Sequence, residues 1–272
     1  MNRITIRPER TGDFKNTEAM VRRAFWNIHG PGCNEHLLVR ILRGSADYLP
    51  ELSRVAEMDG RVVGAIFYSR AKVVNGDTEH NIVTFGPLAV EPTLQNAGIG
   101  KRLMEETLPL AKRAGYPGVC IYGEPLYYPK RGFLRCDGFG ITDPEGRNFD
   151  ALMAYPLDDG AFSRVHGKLI ESPSFDACND ANALAEMEKE FEPYPKIKIR
   201  EGFLQLYGLQ FASVRTAENG GYALSFWEET LPASLSPDFF RNHSRAPKAG
   251  DTVLFSFDSG KRAVIERAVE PM

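Results

Sequence analysis

Long apolar runs are missing from this sequence. No stretch approaches the ~18 residues of a membrane-spanning helix. Cysteine is scarce, and the four present (33, 120, 136 and 178) form no C-x-x-C pair; they read as reduced cytosolic thiols. Cys33-x-x-His36 has half the spacing of a zinc site but no second pair to complete it, so no metal is expected. An excess of one charge is missing too. The 33 lysines and arginines against 36 aspartates and glutamates leave −3, with no basic field to attract nucleic acid. The opening MNRITIRPERTGDF lacks the apolar centre of a signal peptide, so the cytoplasm is the expected compartment. No repeat, heptad or low-complexity tract stands out. What is present, 43% apolar and 25% charged residues over 272 positions, suits a globular protein of one or two domains.

The most informative stretch is NIVTFGPLAVEPTLQNAGIGKRLM, residues 81 to 104. It opens as a buried strand, Ile82 to Phe85 and Leu88 to Val90, broken by Gly86-Pro87, where a proline cannot donate to a ladder and a bulge is expected. After Gln95-Asn96-Ala97-Gly98-Ile99-Gly100, apolar residues recur at 99, 103, 104, 108, 111 and 114, with Thr107 in the same phase, one face of a helix. Strand, glycine-rich turn and helix together present bare backbone N–H groups and a positive helix end to an anion. A P-loop does not fit, because Arg102 follows Gly100-Lys101 and no glycine stands at Gln95 or Asn96. A Rossmann turn does not fit either, because Leu103 stands where a third glycine or alanine belongs.

Gln95-x-x-Gly98-x-Gly100 between a strand and a helix resembles the acetyl-CoA loop of the GNAT N-acetyltransferase superfamily. A second motif strengthens the resemblance. After a short strand near residues 117–122, Tyr128-x-x-x-Gly132-Phe133 matches the Tyr-x-x-x-Gly-Phe signature of that superfamily. The likeness covers residues 1–157. It implies that the amides of Gln95, Asn96, Ala97, Gly98, Ile99, Gly100 and Lys101 hold the pyrophosphate of acetyl-CoA. It further implies that Leu88, Ala89 and Val90 lie along the acetyl-pantetheine arm, that Arg131 assists cofactor binding, and that Tyr128 protonates the departing thiolate. Tyr127 reads as packing. Some members carry a glutamate base on the central strand; counting back from Gln95, that place is taken by Thr84, so the base is sought at His36, Glu124 or Glu35, or through water. The loop Trp26–His36 is expected to overhang the acceptor site, with Trp26, His29 and Glu35 meeting the acceptor.

The remaining punctuation follows the same order. A strand at Ile4–Arg7 precedes a helix capped by Asp13 and a second helix from Glu35 to Arg43. Strands near Leu52–Met58 and Val62–Val73 are joined by Asp59-Gly60, and two more lie at Leu134–Asp137 and Asn148–Pro156. Pro109 inside the long helix predicts a kink or irregular last turn. Residues 158–195 read as a connecting segment with one helix after Asp180. Residues 196–272 read as a small β-rich domain, with a bulge at Gly208 and hairpin turns at Asn219-Gly220-Gly221 and Asp258-Ser259-Gly260. The expected fold is α+β: a GNAT-type mixed, mostly antiparallel sheet flanked by helices, plus a small antiparallel C-terminal domain. The expected activity is transfer of an acetyl group from acetyl-CoA to a primary amine of a small molecule, in a ternary complex and without metal. Alternatives are a non-catalytic acyl-CoA sensor or transfer of another acyl group. A homodimer is a further expectation; nucleic-acid and membrane partners are not.

Overall fold

The computed structural model describes residues 4–194, 196, 210–217, 221–226, 229–237, 239, 245–257 and 263–269. It divides into two compact units, residues 1–25 with 34–192, and residues 26–33 with 193–272.

In the first unit, β1 (Thr5–Arg7) is followed by α1 (Phe14–Phe25) and α2 (Glu35–Gly44). Next come β2 (Arg54–Met58), β3 (Arg61–Asn75) and β4 (Thr78–Val90). Helix α3 (Ile99–Arg113) connects β4 to β5 (Gly118–Tyr122), and β6 (Leu134–Arg135), β7 (Ile141–Thr142) and β8 (Leu152–Pro156) follow. The unit ends with β9 (Gly167–Ile170), α4 (Ser174–Ala177) and α5 (Ala181–Glu188). The sheet order is β1-β2-β3-β4-β5-β8-β6, with β9 pairing β3 and β7. Most pairs are antiparallel; β4 with β5 and β7 with β9 are parallel. The connection through α3 explains the first, since a parallel neighbour needs a crossover helix.

Val62 to Ser69 is buried without interruption because helices cover both faces of β3 there. On one face α3 lays Ile99, Leu103 and Met104 against Val63, Ile66 and Val83. Gly64 allows that approach: a Cβ there would stand 2.9 Å from Ile99 Cγ2. On the other face α1, α2, α4 and α5 contribute Met20, Leu38, Leu42, Cys178 and Met187 to a core with Val55, Ala65 and Phe67. Each such buried aliphatic chain stabilises the unit by roughly 1.5–3 kcal/mol. A third core, with Val73, Ile82, Cys120, Leu152, Phe162 and Leu169, underlies the β5–β8–β9 end.

Several expectations need correction. Asp13 does not cap α1; its carboxylate bonds the guanidinium of Arg7 and the amide of Arg10. Strand pairing at Leu134 is only two residues long, because a 3-10 turn takes over at Cys136, and the last strand starts at Leu152. Residues 158–195 are no simple connector. They supply β9, α4 and α5, and all but the last few group with the first unit. The segment is tied down by charge as well as by pairing. Glu188 on α5 meets Arg22 of α1 at 2.8 Å and His36 of α2 at 2.8 Å.

In the second unit, β10 (Gln210–Thr216), β11 (Tyr222–Phe226), β12 (Glu229–Leu235), β13 (Thr252–Phe257) and β14 (Ala263–Val269) form a closed barrel in the order β10-β11-β12-β14-β13. One pair, β12 with β14, is parallel, so the barrel is a Greek key rather than two bare antiparallel hairpins. Val214, Leu224, Phe239, Val253, Phe255 and Ile265 fill it. The expected bulge at Gly208 and the turn residues Asn219, Gly220, Asp258, Ser259 and Gly260 lie outside the described residues.

Burial raises the cost of charging Glu188, but hydrogen bonds from His36 and Arg22 outweigh it and hold its carboxyl down to about 2 from an ordinary 4.5. The depressed value contributes stability that is complete above pH 4.5 and is lost as pH falls toward 2. Glu188→Gln should cost about 2 kcal/mol at neutral pH in denaturant melts, because it removes the carboxylate that both Arg22 and His36 meet. The variant should also lose the acid-dependent part of the wild-type stability curve.

Candidate active site

The turn after β4 exposes its backbone. Asn96 sits at φ 61° and Gly98 at φ 83°, ψ 5°, so the chain passes through left-handed conformations just before α3 begins. Residues 95–98 are exposed. Among the described residues, no amide from Asn96 to Lys101 donates a hydrogen bond; the first backbone donor afterwards is Arg102, to Gly98 O at 3.0 Å. Six consecutive N–H groups at a helix start with no carboxylate in the first turn make a concavity of the kind that suits an anion. Gln95 bends back to Val90 O at 3.3 Å and fixes the turn to the strand. Lys101 points outward into an ion pair with Glu105.

Gly100 is the crowded glycine. A Cβ there would stand 2.8 Å from the Tyr127 hydroxyl and 3.7–3.8 Å from Val90 Cγ2 and Leu88 Cδ2. Leu88, Val90 and Tyr127 thus converge on the helix start. Arg131 caps the group, with its guanidinium carbon 3.4 Å from the centre of the Tyr127 ring and Nη1 donating to Tyr127 O at 2.6 Å. Tyr127 is therefore more than packing, since its hydroxyl reaches the turn.

The two parallel strands β4 and β5 pair at a single register, Val83 with Val119. Beyond it they part. Opposite the parting, Gly86-Pro87 form a bulge against β3, two residues facing the lone Phe67, with a cis peptide bond between them. Leu88 to Val90 remain paired with β3 on one edge, while their other edge faces the opening. Tyr128 closes that opening on the α3 side. Its ring packs against Phe85 of β4 at 5.9 Å and Phe133 at 5.2 Å, and lies so near Gly123 that a Cβ there would meet it at 2.5 Å. Among the described residues the Tyr128 hydroxyl has no hydrogen-bond partner. Burial, with smaller pushes from Tyr127 and Tyr68, raises its pKa above the ordinary phenol value and keeps it protonated.

The base residues named from sequence fare differently. His36 is fully buried on the core face of α2, 2.8 Å from Glu188, and is a structural partner rather than a surface base. Glu124 turns its carboxylate onto the amide of Leu126 at 3.1 Å and caps the turn that carries Tyr127 and Tyr128. Glu35 sits at the start of α2, accepting from the Asn34 amide, with Cys178 of the α4 region beside it. Trp26 and His29 belong to the second compact unit, and the turn and Tyr128 to the first; Trp26 packs edge-on with Tyr194 at 6.4 Å. Thr84, where a base was sought and not found, is not alone. Its hydroxyl donates to the carboxylate of Glu171 at 3.1 Å. Sequence reading missed Glu171 because it follows a four-residue strand that carries no turn signal of its own.

Comparison with known proteins finds relatives of one kind. A model described as the acetyltransferase (GNAT) family matches residues 19–133. Over 176 residues the chain is 30% identical to YhbS of Escherichia coli K12, an uncharacterized N-acetyltransferase, a match covering 62% of this chain and 95% of YhbS. Over 90 residues it is 34% identical to YjhQ of the same organism, also an uncharacterized N-acetyltransferase; that match covers 33% of this chain and about half of YjhQ, 49%. Among solved structures, YhbS in complex with CoA superposes with a TM-score of 0.58 at 26% identity, over 65% of this chain and 93% of that one. A GNAT acetyltransferase of Brucella melitensis with acetyl-CoA gives 0.51 at 26% identity, over 65% and 100%.

Open space surrounds Gly98, so only its positive φ resists a side chain, whereas at Gly100 the neighbours themselves resist. Gly98→Val should therefore destabilise by roughly 1–2 kcal/mol in thermal melts. Gly100→Ala should instead displace the Tyr127 ring, read as a change in tyrosine fluorescence.

Proposed function

The chain belongs to the GNAT acetyltransferase family, and from that premise we propose that it moves an acetyl group from acetyl-CoA to the primary amine of a small molecule by direct transfer in a ternary complex. The observation that carries this reading is the run of six undonated amides from Asn96 to Lys101 at the head of α3. Such a run suits a diphosphate, with Arg131 and the Tyr127 hydroxyl beside it. The CoA and acetyl-CoA held by the two structural relatives support the same ligand for this chain. From that anchor the acetylated arm runs along Leu88–Val90 into the parting of β4 and β5. There a backbone amide freed by the bulge polarises the thioester carbonyl, and Tyr128 gives its proton to the departing thiolate. Burial keeps the phenol protonated but weakens it as an acid, so the transfer relies on the thiolate forming in the same desolvated site, where its own basicity is raised too. The acceptor is read as a small cationic amine, for which the Glu124 carboxylate on the turn carrying Tyr128 is a suitable partner.

A panel of polyamines, amino acids and aminoglycosides incubated with acetyl-CoA tests the reading by release of free thiol. At least one amine should turn over. Tight CoA binding with a blank across the panel would overturn it in favour of a non-catalytic sensor. With the responding amine, Tyr128→Phe should lower kcat by ~10²-fold and leave CoA affinity unchanged. Gly98→Val should weaken CoA affinity; intact affinity would remove the assignment of the turn.

A further inference from the structure

On the opposite side of the β4–β5 fork from Tyr128 stands a half-buried carboxylate that no role above uses. Glu171 directly follows β9 and accepts the Thr84 hydroxyl hydrogen bond at 3.1 Å. Thr84 and Phe85 are neighbours on β4, so their side chains leave the sheet on opposite faces. Phe85 meets Tyr128 on the α3 face; Thr84 meets Glu171 on the other. β5 repeats the division. Val119 and Ile121 pack into the α3-side core, whereas Cys120 and Tyr122 point the other way, within electrostatic reach of Glu171. The carboxylate thus spans both strands at the place where they separate.

Its surroundings set it apart from the protein's other acids. Among the described residues no lysine, arginine or histidine pairs with Glu171. The titratable groups that face it are Cys120 and Tyr122 from β5 and Asp176 from α4; β4 offers only the neutral Thr84. Burial pushes its carboxyl up to about 7, opposed by the Thr84 hydrogen bond and aided by Asp176. Phe175, four residues on, lays its ring edge against Gly86, 3.1 Å from where a Cβ would be, so the segment carrying Glu171 is seated on the bulge itself.

We propose that Glu171 is the general base of the transfer, taking the proton of the acceptor ammonium on the face of the fork opposite Tyr128. The assignment rests on the acetyl-transfer reading above. The ammonium N–H proton passes to the Glu171 carboxylate, and the freed nitrogen lone pair attacks the thioester carbonyl carbon. The C–S bond then breaks. The thiolate takes the Tyr128 proton, and the new amide nitrogen sheds its surplus proton, which restores the phenol through solvent. Glu171 returns its proton to water, so each turnover releases one proton and leaves both side chains as they began. Thr84 is a positioning residue. It holds at a distance in sequence the carboxylate that the resemblance had sought on the central strand.

Glu171→Gln in the full-length protein, assayed with the amine that responds in the panel, tests the assignment. The wild-type kcat/KM should rise with pH through about 7, because the base must be ionised. The Gln variant should lose ~10²-fold at the plateau, lack that rise, and bind CoA as the wild type does. Thr84→Val removes a hydrogen bond that favours the charged form, so its rise should move to higher pH; a structural defect alone would lower the rate without moving the limb. In CoA-saturated protein labelled with carboxyl-13C glutamate, the resonance lost in Glu171→Gln should titrate near 7. A midpoint in the ordinary carboxylate range, or a Gln variant with full rate and an intact rise, overturns the role of Glu171. A blank amine panel overturns the transfer reading itself, and the two failures are told apart by which measurement fails.

Discussion

Everything at this site depends on two parallel strands being paired at one register only. Val83 and Val119 join β4 to β5, and past that point the strands part. Backbone polar groups along the parted edges must find partners, because a buried N–H or C=O without one costs about 1–3 kcal/mol. β4 keeps β3 on its other edge all the way to Val90, so the parting costs it one row of partners rather than two. The bulge at Gly86-Pro87 lies within this parted length and turns the strand locally. α3 supports the arrangement from beneath, since the Gly64 contact lets Ile99 and Leu103 sit directly on β3. A ligand that threads the fork therefore meets unsatisfied backbone on a rigid frame.

The fork also divides the proton chemistry. Adjacent residues of β4 send one side chain to each face, so the sheet itself separates the proposed acid, Tyr128, from the proposed base, Glu171. On the α3 side aromatic rings surround Tyr128, and their low polarity keeps its proton on. On the other side Glu171 has a hydroxyl donor and, among the described residues, no cation, which leaves it between the charged and neutral forms near neutrality. Two groups pushed apart in role by their environments is how one site gives and takes protons at the same pH.

What could be read from the sequence was local. The Gly98-x-Gly100 turn, the amphipathic α3 and the Tyr128 motif each depend on residues within one helix turn or one hairpin, and spacing reports them faithfully. The break at Gly86-Pro87 was visible for the same reason. His36 was misassigned because its chemistry outweighed its position: it lies three residues before Val39 on a helix, the spacing of a shared face, and the structure buries it with Leu38, Val39 and Leu42. Glu171 was invisible because its partner, Thr84, is 87 residues away in sequence. No period or motif connects a four-residue strand to the middle of another sheet strand across that distance. The barrel shows the same limit, because hairpins are legible and the parallel β12–β14 closure is not.

The segment from β9 to α5 shows why that long-range placement holds. Residues 167–170 enter the main sheet beside β3 and β7, Phe175 lies on Gly86, and Met187 is buried in the helical core. At its far end Glu188 is gripped by Arg22 and His36, groups from two different helices. A strap held at both ends has little freedom in between, so Glu171 is fixed by contacts that lie on either side of it rather than by its own single hydrogen bond. The buried histidine that fails as a base thus acts at a distance. Its contact with Glu188 ties α5, at the end of the segment that carries Glu171, to α2. The ion pair that stabilises the fold and the geometry that prepares the chemistry are consequences of one tether.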